Sequence, residues 1–329
     1  MVAQDQKYRL VFMGTPVFAA RILEICATWK AGTIVGAFTQ PDRKAQRGHK
    51  LLPSPVKVKA CELGIPVFQP ETLKTDESLF LLKELAPDFL LVAAYGLLLP
   101  GAVLAVPRFE PLNVHASLLP KYRGAAPVQR AIMEEYGPLA QTGVSIMRLC
   151  EALDAGPVFA QKSIAIADHT ADSLLDALVP LGGSLLLEVM ASCIEGNAKA
   201  IEQDSAKATY AAKLTKQDGS ILWNAPFDKV HAQIRAVTSK PGAHVNFDAA
   251  GTRFSNLVLM PGSKGSKLQN EPAGTISLSN GNLAIATKDY WYVLSSLKPQ
   301  GKTFMASAAF SNGYLKGCAN GVVGHVVYE

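Results

Sequence analysis

In the N-terminal part of the chain, short apolar runs alternate with segments in which apolar residues recur at helical spacing. The run RLVFM (9–13) ends at the turn Gly14-Thr15-Pro16, and helical spacing follows from Val17 to Cys26. The same order recurs with TIVGAF (33–38) and a helix over 55–62. An apolar run followed by a turn and an amphipathic segment predicts a strand that leads into a helix.

Capping residues mark where two of the predicted helices begin. Ser54 is the predicted N-cap of the helix over 55–62, and Pro55 stands at its first position, where the missing N–H is not needed. Thr75 is placed in the same way before a helix that begins near Asp76 and follows the short strand PVF (66–68). Both helices therefore have a defined start in the sequence.

Later apolar runs complete the pattern of one sheet. DFLLVAA (88–94) is apolar on both faces, which is typical of a central parallel strand that helices cover on both sides. LNVHA (112–116) and TGVSIMRL (142–149) continue the series, with predicted helices over 125–135 and 171–195. Strands that alternate with helices predict an α/β fold with a doubly wound, mostly parallel, Rossmann-like sheet.

Beyond about Lys207 the pattern changes to short β-prone runs separated by turn residues. The runs are ILW, HVNF, NLVLM, GTISL, NLAIAT, YWYVLSSL and GVVGHVVY, all within 221–328. Many short strands of this kind predict a small β-barrel. We therefore expect an α/β domain over 1–202, a polar linker over 203–208 and a barrel domain over 209–329.

Charge is distributed unevenly between these two parts. Residues 206–329 hold 13 Lys and Arg against 6 Asp and Glu, whereas residues 1–205 hold 19 against 21. The resulting +7 in the C-terminal part fits a polyanionic partner such as a nucleic acid. From charge alone, a solvated lysine-rich surface is an equally good explanation.

Cysteine usage and the N-terminus indicate the compartment. The 5 cysteines are scattered and form neither a C-x-x-C pair nor a cluster with histidine, which predicts a reducing compartment and no metal site. The N-terminal MVAQDQKYRL lacks the apolar stretch of a signal peptide. The apolar segment 174–194 contains Asp176 and Glu188, which are costly in hydrocarbon. We expect a cytoplasmic protein without a membrane span.

Three loops at predicted strand ends carry the candidate chemistry, because ligands of an open α/β sheet bind beyond the carboxyl ends of its strands. Asn113 and His115 are two apart on one strand and point to the same side. Asp154 lies in a loop directly after another strand, and the polar loop 39–50 follows a third. Taken singly, an Asn-x-His pair is more often structural, and an aspartate in such a loop is usually a turn residue. Together, an amide, a histidine and a carboxylate could bind a developing oxyanion and transfer a proton.

Several ordered segments carry a family resemblance. NVHASLLPKYRGAAPVQRAI (113–132) and EALDAGP (151–157) resemble the signature of the 10-formyltetrahydrofolate-dependent formyltransferases and hydrolases. FMGTP (12–16), VAAYGLLLP (92–100) and the segment 39–57 are similar to those of members that act on methionyl-tRNA. The resemblance is strong up to residue 165 and weaker beyond it.

The resemblance implies transfer of a formyl group from 10-formyltetrahydrofolate to the amino group of methionine on initiator tRNA, without a metal. The family's asparagine, histidine and aspartate match Asn113, His115 and Asp154. On this correspondence, Asn113 and His115 stabilise the oxygen that becomes negative in the tetrahedral intermediate. Asp154 orients His115 and helps to carry the proton from the attacking amine to N10 of the folate. The C-terminal part resembles the family's OB-like domain, and we expect a monomer without an obligate protein partner.

The resemblance also assigns residues to each substrate. The folate-binding residues lie at strand ends, where backbone groups would pair with the edge of the pterin ring. They are Val92, Ala93, Ala94, Tyr95, Gly96, Leu97, Leu98, Ser117, Leu118, Leu119 and Pro120. Arg43, Arg47 and Lys50 would grip the acceptor end of the tRNA, with Arg47 foremost. Without the resemblance, 92–100 is a core strand with its turn, and 39–50 is a solvated loop.

The sequence departs from the family pattern in two places. Val17 stands where an acidic residue usually follows G-T-P. The segment VTSKPGAH (237–244) lacks the family's usual aromatic-proline stretch, which leaves the domain interface or the tRNA contact there open. Neither departure touches Asn113, His115 or Asp154.

Other functions fit parts of the sequence. A sister enzyme that formylates an amino-sugar nucleotide would share the same three residues, and a formyltetrahydrofolate hydrolase would use water in place of the amine. The basic loop 39–57 argues against both alternatives, and the positive C-terminal part also argues against a nucleotide-sugar substrate. A non-catalytic RNA-binding protein would not need the three residues. A nicotinamide dehydrogenase is disfavoured because the first turn reads G-T-P rather than G-x-G-x-x-G.

Overall fold

The computed structural model describes residues 7–44 and 51–328. The chain divides into two compact units, and each unit is assembled from several stretches of the chain. The first unit comprises Met1–Pro127, Thr142–Ile164 and Leu175–Ala211, and the second comprises Val128–Gln141, Ala165–Leu174 and Ala212–Glu329. The domain limits at 202 and 209 stay predictions.

Strands and helices alternate up to residue 211. In chain order the elements are β1 (Tyr8–Gly14), α1 (Val17–Ala27), β2 (Gly32–Phe38), β3 (Arg43–Lys44), β4 (Leu51–Leu52), α2 (Pro55–Glu62), β5 (Val67–Phe68), α3 (Asp76–Glu84), β6 (Phe89–Ala93), α4 (Gly101–Leu104), β7 (Pro111–His115), β8 (Arg123–Gly124), α5 (Pro127–Glu134), β9 (Gln141–Arg148), β10 (Val158–Ala165), α6 (Ala171–Ile194) and β11 (Tyr210–Ala211).

Seven of these strands form one sheet in the order β10-β9-β7-β6-β1-β2-β5. The pairs from β7 to β5 are parallel, whereas β9 runs antiparallel to β7. The prediction of an α/β fold with a mostly parallel sheet is confirmed. β10 was not predicted, because its exposed and half-buried positions give no continuous apolar run.

Both predicted helix caps are present. The hydroxyl of Ser54 accepts a hydrogen bond from the Lys57 N–H at 3.0 Å, and that of Thr75 accepts one from the Ser78 N–H at 3.3 Å. Each bond satisfies an N–H that the first helical turn leaves unpaired. The sequence therefore fixes the starts of α2 and α3.

One helix of the described chain, α6, is long and apolar enough to cross a membrane by length and composition. Its mean hydropathy is 1.8 over 18 residues. Leu174, Leu178, Leu186 and Met190 on this helix are all fully buried among other residues of the protein. In this structure α6 is therefore a core helix.

The second unit contains a nine-stranded sheet with antiparallel pairing, as predicted for the OB-like part. Its elements are α7 (Phe227–Val237), β12 (Ala243–Ala249), β13 (Thr252–Leu259), β14 (Ser263–Lys267), β15 (Thr275–Ser279), β16 (Asn282–Ala286), β17 (Tyr290–Val293), β18 (Ser296–Lys298), β19 (Met305–Ala306), α8 (Ser307–Tyr314) and β20 (Gly321–Val326). The strand order is β14-β17-β16-β15-β20-β12-β13-β18-β19.

Details of this unit differ from the prediction. ILW (221–223) is not a strand, although Trp223 is fully buried in the core of the unit. The run YWYVLSSL divides into β17 and β18. The helices α7 and α8 were not predicted, because the β-prone runs around them dominate the pattern. The sequence thus indicates the β-rich class of this unit but not its helices α7 and α8.

A buried polar network joins α7 to the sheet. The Tyr292 hydroxyl accepts a hydrogen bond from the Gly262 N–H at 2.8 Å and lies 3.0 Å from Nδ1 of His231. The hydroxyl has a second lone pair and a proton of its own, so it can pair with Nδ1 in either direction. Burial, together with the positive charge of Arg235, lowers the pKa of His231 from 6.5 to about 4, against the opposing effect of Asp168 and Asp228.

The lowered pKa of His231 predicts loss of stability in mild acid. Between pH 6.5 and about 4 the unfolded chain binds a proton at His231 and the folded chain does not, so the contribution present above pH 6.5 is lost as the pH falls. After an allowance for partial exposure, the free energy of unfolding falls by about 1–2 kcal/mol from pH 7 to pH 5 through this residue. Urea unfolding of the native protein and His231→Gln at both pH values measures this difference. An identical pH dependence in both proteins would contradict it.

Candidate active site

Asn113 and His115 lie at the carboxyl end of the inner strand β7. Both side chains are buried, with 7% and 5% of the residue surface exposed. Asn113 is paired with Val92 of β6, and His115 is opposite Ser145 of β9. Alternate residues of a strand face the same side, so the amide and the imidazole are presented together at this end of the sheet.

The imidazole of His115 lies between a carbonyl and a carboxylate. Its Nε2 is 2.9 Å from the carbonyl oxygen of Tyr122. Because a carbonyl only accepts, Nε2 carries the proton of this bond. On the other side of the ring, Nδ1 lies 3.7 Å from Oδ1 of Asp154, which is slightly longer than a hydrogen bond. The ring is thus fixed at one nitrogen and faces a carboxylate with the other.

Asp154 is held in place by its second oxygen and by its backbone. Oδ2 accepts a hydrogen bond from the Gly124 N–H at 2.8 Å. Asp154 has a φ of +49°, a left-handed conformation that non-glycine residues adopt rarely and that often marks functional loops. Gly124 itself has a φ of +116°, and a Cβ there would lie 2.9 Å from the Ala211 carbonyl oxygen. Only glycine therefore fits the position that donates to Asp154.

The side-chain amide of Asn113 is free for a ligand. Within the described part of the chain it makes no hydrogen bond, although the residue is buried. Its amide atoms are not among the fully enclosed polar atoms without a partner, so the amide is accessible to solvent and to a ligand. Asn113, His115 and Asp154 thus combine an available N–H donor, an oriented imidazole and a carboxylate.

Two family models match the sequence over most of its length. The model "Formyl transferase" matches residues 8–190, and "Formyl transferase, C-terminal domain" matches residues 213–315. The methionyl-tRNA formyltransferase of Desulfovibrio desulfuricans is 48% identical over 329 residues, which cover 98% of this chain and 97% of the relative. The chain belongs to the methionyl-tRNA formyltransferase family. The resemblance noted in the sequence is confirmed, and the chain is a formyltransferase.

Solved structures with the same fold include other formyltransferases. WlaRD, a sugar 3N-formyl transferase, has a TM-score of 0.60 at 16% identity, with 90% of this chain and 99% of that chain covered. HypX from Aquifex aeolicus, in complex with tetrahydrofolic acid, has a TM-score of 0.58 at 16% identity. The match covers 98% of this chain and 51% of HypX. At 16% identity, these similarities show a shared fold.

The folate segment predicted for this formyltransferase begins inside the sheet and continues into a turn. Val92 and Ala93 are buried in β6, whereas Ala94 and Gly96 are exposed beyond its end and have φ of +45° and +81°. Next to it is a cavity of about 380 Å³. Its lining residues are Lys74, Leu98, Leu99, Pro100 and Glu151. The cavity thus adjoins both the predicted folate segment and the loop that carries Asp154.

The second predicted folate segment, 117–120, has most of its backbone groups engaged within the protein. The Ser145 hydroxyl donates to the Ser117 carbonyl at 2.6 Å and accepts from the Leu119 N–H at 3.0 Å. Gln161 donates to the Leu119 carbonyl at 2.8 Å. These bonds hold the segment rigid beside β9. The half-buried residues Leu118 and Pro120 are therefore the part of this segment that a ligand can contact most readily.

A second layer of residues behind Asp154 was not found from the sequence. The Arg123 guanidinium donates to Oε1 of Gln203 at 2.9 and 3.0 Å. The amide nitrogen of Gln203 donates to the carbonyls of Asp154, at 2.9 Å, and Gly156, at 2.6 Å. Gln203 lies in the polar stretch interpreted as a linker, and nothing in its local pattern distinguishes a bridging glutamine from a solvated one.

The residues predicted to bind tRNA are only partly described. Arg43 is exposed in β3, which pairs with β4 at the base of the 39–50 loop. Arg47 and Lys50 lie outside the described residues. In the described part of the chain no group of three or more His, Cys, Asp or Glu residues is placed to hold a metal ion.

Proposed function

We propose that this formyltransferase moves the formyl group of 10-formyltetrahydrofolate to the amino group of methionine on initiator tRNA, and that Asn113, His115 and Asp154 catalyse the step. The observation that carries the catalytic assignment is the meeting of the unpartnered amide of a buried residue, an anchored imidazole and a carboxylate at one end of β7. The identity of the acceptor is supported by the relatives, which are named for methionyl-tRNA.

Each of the three residues has a role that follows from its surroundings. When the methionyl amine attacks the formyl carbon, the carbonyl oxygen gains negative charge. The free N–H of Asn113 donates to that oxygen, and the bond strengthens as negative charge develops on it. The imidazole of His115, held at Nε2 by the Tyr122 carbonyl, acts through the nitrogen that faces Asp154. The attack forms a new bond between the methionyl nitrogen and the formyl carbon, and the existing bond from that carbon to N10 of the folate then breaks.

Asp154 takes part in the transfer of the proton that the attacking amine must lose. Its carboxylate faces Nδ1 of His115 at 3.7 Å and is fixed by the Gly124 N–H. A carboxylate in this position, beside Nδ1 of His115, can carry a proton from the attacking amine toward N10 of the leaving folate. The small gap can close when substrates bind, since catalytic hydrogen bonds often tighten in the complex.

The exposed turn at 94–96 and the 380 Å³ cavity lined by Leu98 and Leu99 fit a folate. A planar pterin can pair with backbone groups of the turn, and the cavity offers the rest of the molecule both apolar contacts, from Leu98, Leu99 and Pro100, and charged ones, from Lys74 and Glu151. Binding of tRNA by Arg43 and by the positive C-terminal part, a monomeric state and a cytoplasmic location remain predictions from the sequence.

The proposed acceptor is tested by formyl transfer with the purified protein and four acceptors. These are charged initiator methionyl-tRNA, free methionine, an amino-sugar nucleotide and water. We expect transfer to the charged tRNA alone, because only this acceptor offers the polyanion that the positive C-terminal part fits. Transfer to the sugar or to water at a similar rate would overturn the acceptor, and uncharged initiator tRNA is the control for the amine.

Arg43→Ala tests the contribution of the loop base to tRNA binding. We expect the KM for methionyl-tRNA to rise about 5- to 10-fold at low salt, with kcat nearly unchanged, because one cation near phosphates contributes mainly to binding. The effect shrinks at higher salt. Lys30→Ala, which removes an exposed cation in the turn before β2, at the other end of this strand from the 39–50 loop, is the matched control. Equal KM values for Arg43→Ala and the native protein would remove Arg43 from the interface.

A further inference from the structure

The side-chain amide of Gln40 makes a hydrogen bond at each of its ends. Its Nε2 donates to the carbonyl oxygen of Tyr95 at 3.0 Å. Its Oε1 accepts from a guanidinium nitrogen of Arg43. One half-buried side chain thus connects the segment proposed to bind folate with a residue proposed to bind tRNA, and all three residues belong to the first unit.

On the folate side, Gln40 supports the turn that follows β6. The Tyr95 carbonyl also accepts from the Thr15 hydroxyl at 2.9 Å. The residues on either side of it, Ala94 and Gly96, have left-handed φ values of +45° and +81°. A Cβ at Gly96 would lie only 2.5 Å from Nε2 of Gln40, so the turn and the amide are in direct contact. A change in Gln40 is therefore transmitted to the backbone of this turn.

Near Arg43, the backbone at the base of the loop is held by hydrogen bonds that do not involve the Gln40 side chain. Gln69 donates to the Gln40 carbonyl at 2.9 Å and to Asp42 at 2.8 Å. Lys57 forms an ion pair with Asp42 at 2.6 Å and a hydrogen bond to Gln69 at 2.8 Å. These bonds hold the main chain of residues 40–42. The Gln40 side chain can therefore change its hydrogen bonds when Arg43 moves, while the base of the loop keeps its structure.

We propose that Gln40 is a positioning residue that couples the two substrate sites, so that methionyl-tRNA and folate each bind more tightly when the other is present. This inference rests on the proposed function. A guanidinium has five N–H donors, and the bond to Gln40 leaves others for a phosphate. A phosphate that fixes Arg43 keeps Oε1 of Gln40 occupied and its Nε2 aimed at Tyr95. By linkage, a folate that fixes the turn at 94–96 preorders Arg43 in the same way.

The coupling is measured with tetrahydrofolate, which has no formyl group and so allows binding without turnover. We expect charged initiator methionyl-tRNA to lower the Kd of tetrahydrofolate about 5-fold in the native protein, at the small end of known couplings. In Gln40→Met both hydrogen bonds are lost, and the Kd values with and without tRNA should become equal. Each substrate should still bind alone.

Two further variants test which hydrogen bonds of Gln40 the coupling requires. Gln40→Glu keeps an oxygen for Arg43 but cannot donate to Tyr95, so the coupling should be absent, while the added negative charge beside Arg43 should weaken the affinity for tRNA alone. Gln69→Met removes a bond to the Gln40 backbone but leaves both side-chain bonds, so the coupling should remain. Thermal unfolding of each variant reports whether it folds.

The result that overturns the coupling is a native Kd ratio of one, or an unchanged 5-fold ratio in both Gln40 variants. Formyl transfer by the native protein is measured in parallel. If transfer to methionyl-tRNA occurs without coupling, the inference about Gln40 alone is wrong. If no transfer occurs, the proposed function fails as well, and the two results are distinguishable.

Discussion

Asp154→Asn is expected to slow formyl transfer by about 10³-fold while the protein stays folded, because a positioned proton-transfer group typically contributes 10²- to 10⁴-fold. Asparagine keeps an oxygen that can accept from the Gly124 N–H, so the loop retains its anchor. The group facing Nδ1 of His115 loses its charge and its ability to take a proton. The loss should therefore appear in kcat rather than in the KM for either substrate.

The experiment is steady-state transfer to methionyl-tRNA over a range of both substrate concentrations, with thermal unfolding of the same samples. Exposed Asp204, whose carboxylate accepts from Ala206 N–H and pairs with Lys207, provides the matched control Asp204→Asn. That variant should have native kcat. A kcat for Asp154→Asn within about tenfold of the native value would exclude Asp154 from proton transfer.

Asn113→Ala should lower kcat by about 10²- to 10³-fold, the usual cost of removing one donor to a developing oxyanion. Its effect on stability should be small. The amide makes no hydrogen bond to any described residue, so its removal leaves no partner unsatisfied. This combination of a large catalytic loss and a small structural one distinguishes a donor to the substrate from a structural amide.

For Asn113 the decisive comparison is with leucine, a side chain of similar shape that has no hydrogen-bond donor. Asn113→Leu fills the space that alanine leaves empty but cannot donate, and should be as slow as Asn113→Ala. Asn197→Ala, which removes an exposed amide bonded to Glu195, is the control for general effects. If either variant at position 113 transfers formyl at the native rate, the oxyanion is stabilised by other groups.

The sequence predicts the first unit well because its signals are local. A continuous apolar run corresponds to the buried strand β6, the run LNVHA to β7, and Ser54 and Thr75 cap the helices they precede. The spacing of Asn113 and His115 gives their common side of β7 directly from the geometry of a strand. The approach of Asp154 to His115 depends on long-range packing; the three residue types together suggested a common chemistry, and the family resemblance implied that Asp154 orients His115.

The features missed from the sequence lack a local signal. The bridge from Arg123 through Gln203 to the Asp154 loop joins residues about 50 to 80 positions apart, and no periodicity marks it. The helices α7 and α8 stand among β-prone runs, so their pattern was outweighed by their neighbours. The backbone of 117–120 looked available to a ligand, yet Ser145 and Gln161 on neighbouring strands already bind it.

The most direct test of the account is the fate of a labelled formyl group in a single turnover. Excess protein is mixed with 10-formyltetrahydrofolate labelled in the formyl carbon and with charged initiator methionyl-tRNA, and the label in tRNA-bound methionine and in free formate is counted over time. The account predicts that the label passes to the methionyl amine, at a rate that falls about 10³-fold in Asp154→Asn. Label that appears as formate while methionyl-tRNA stays unmodified would contradict it.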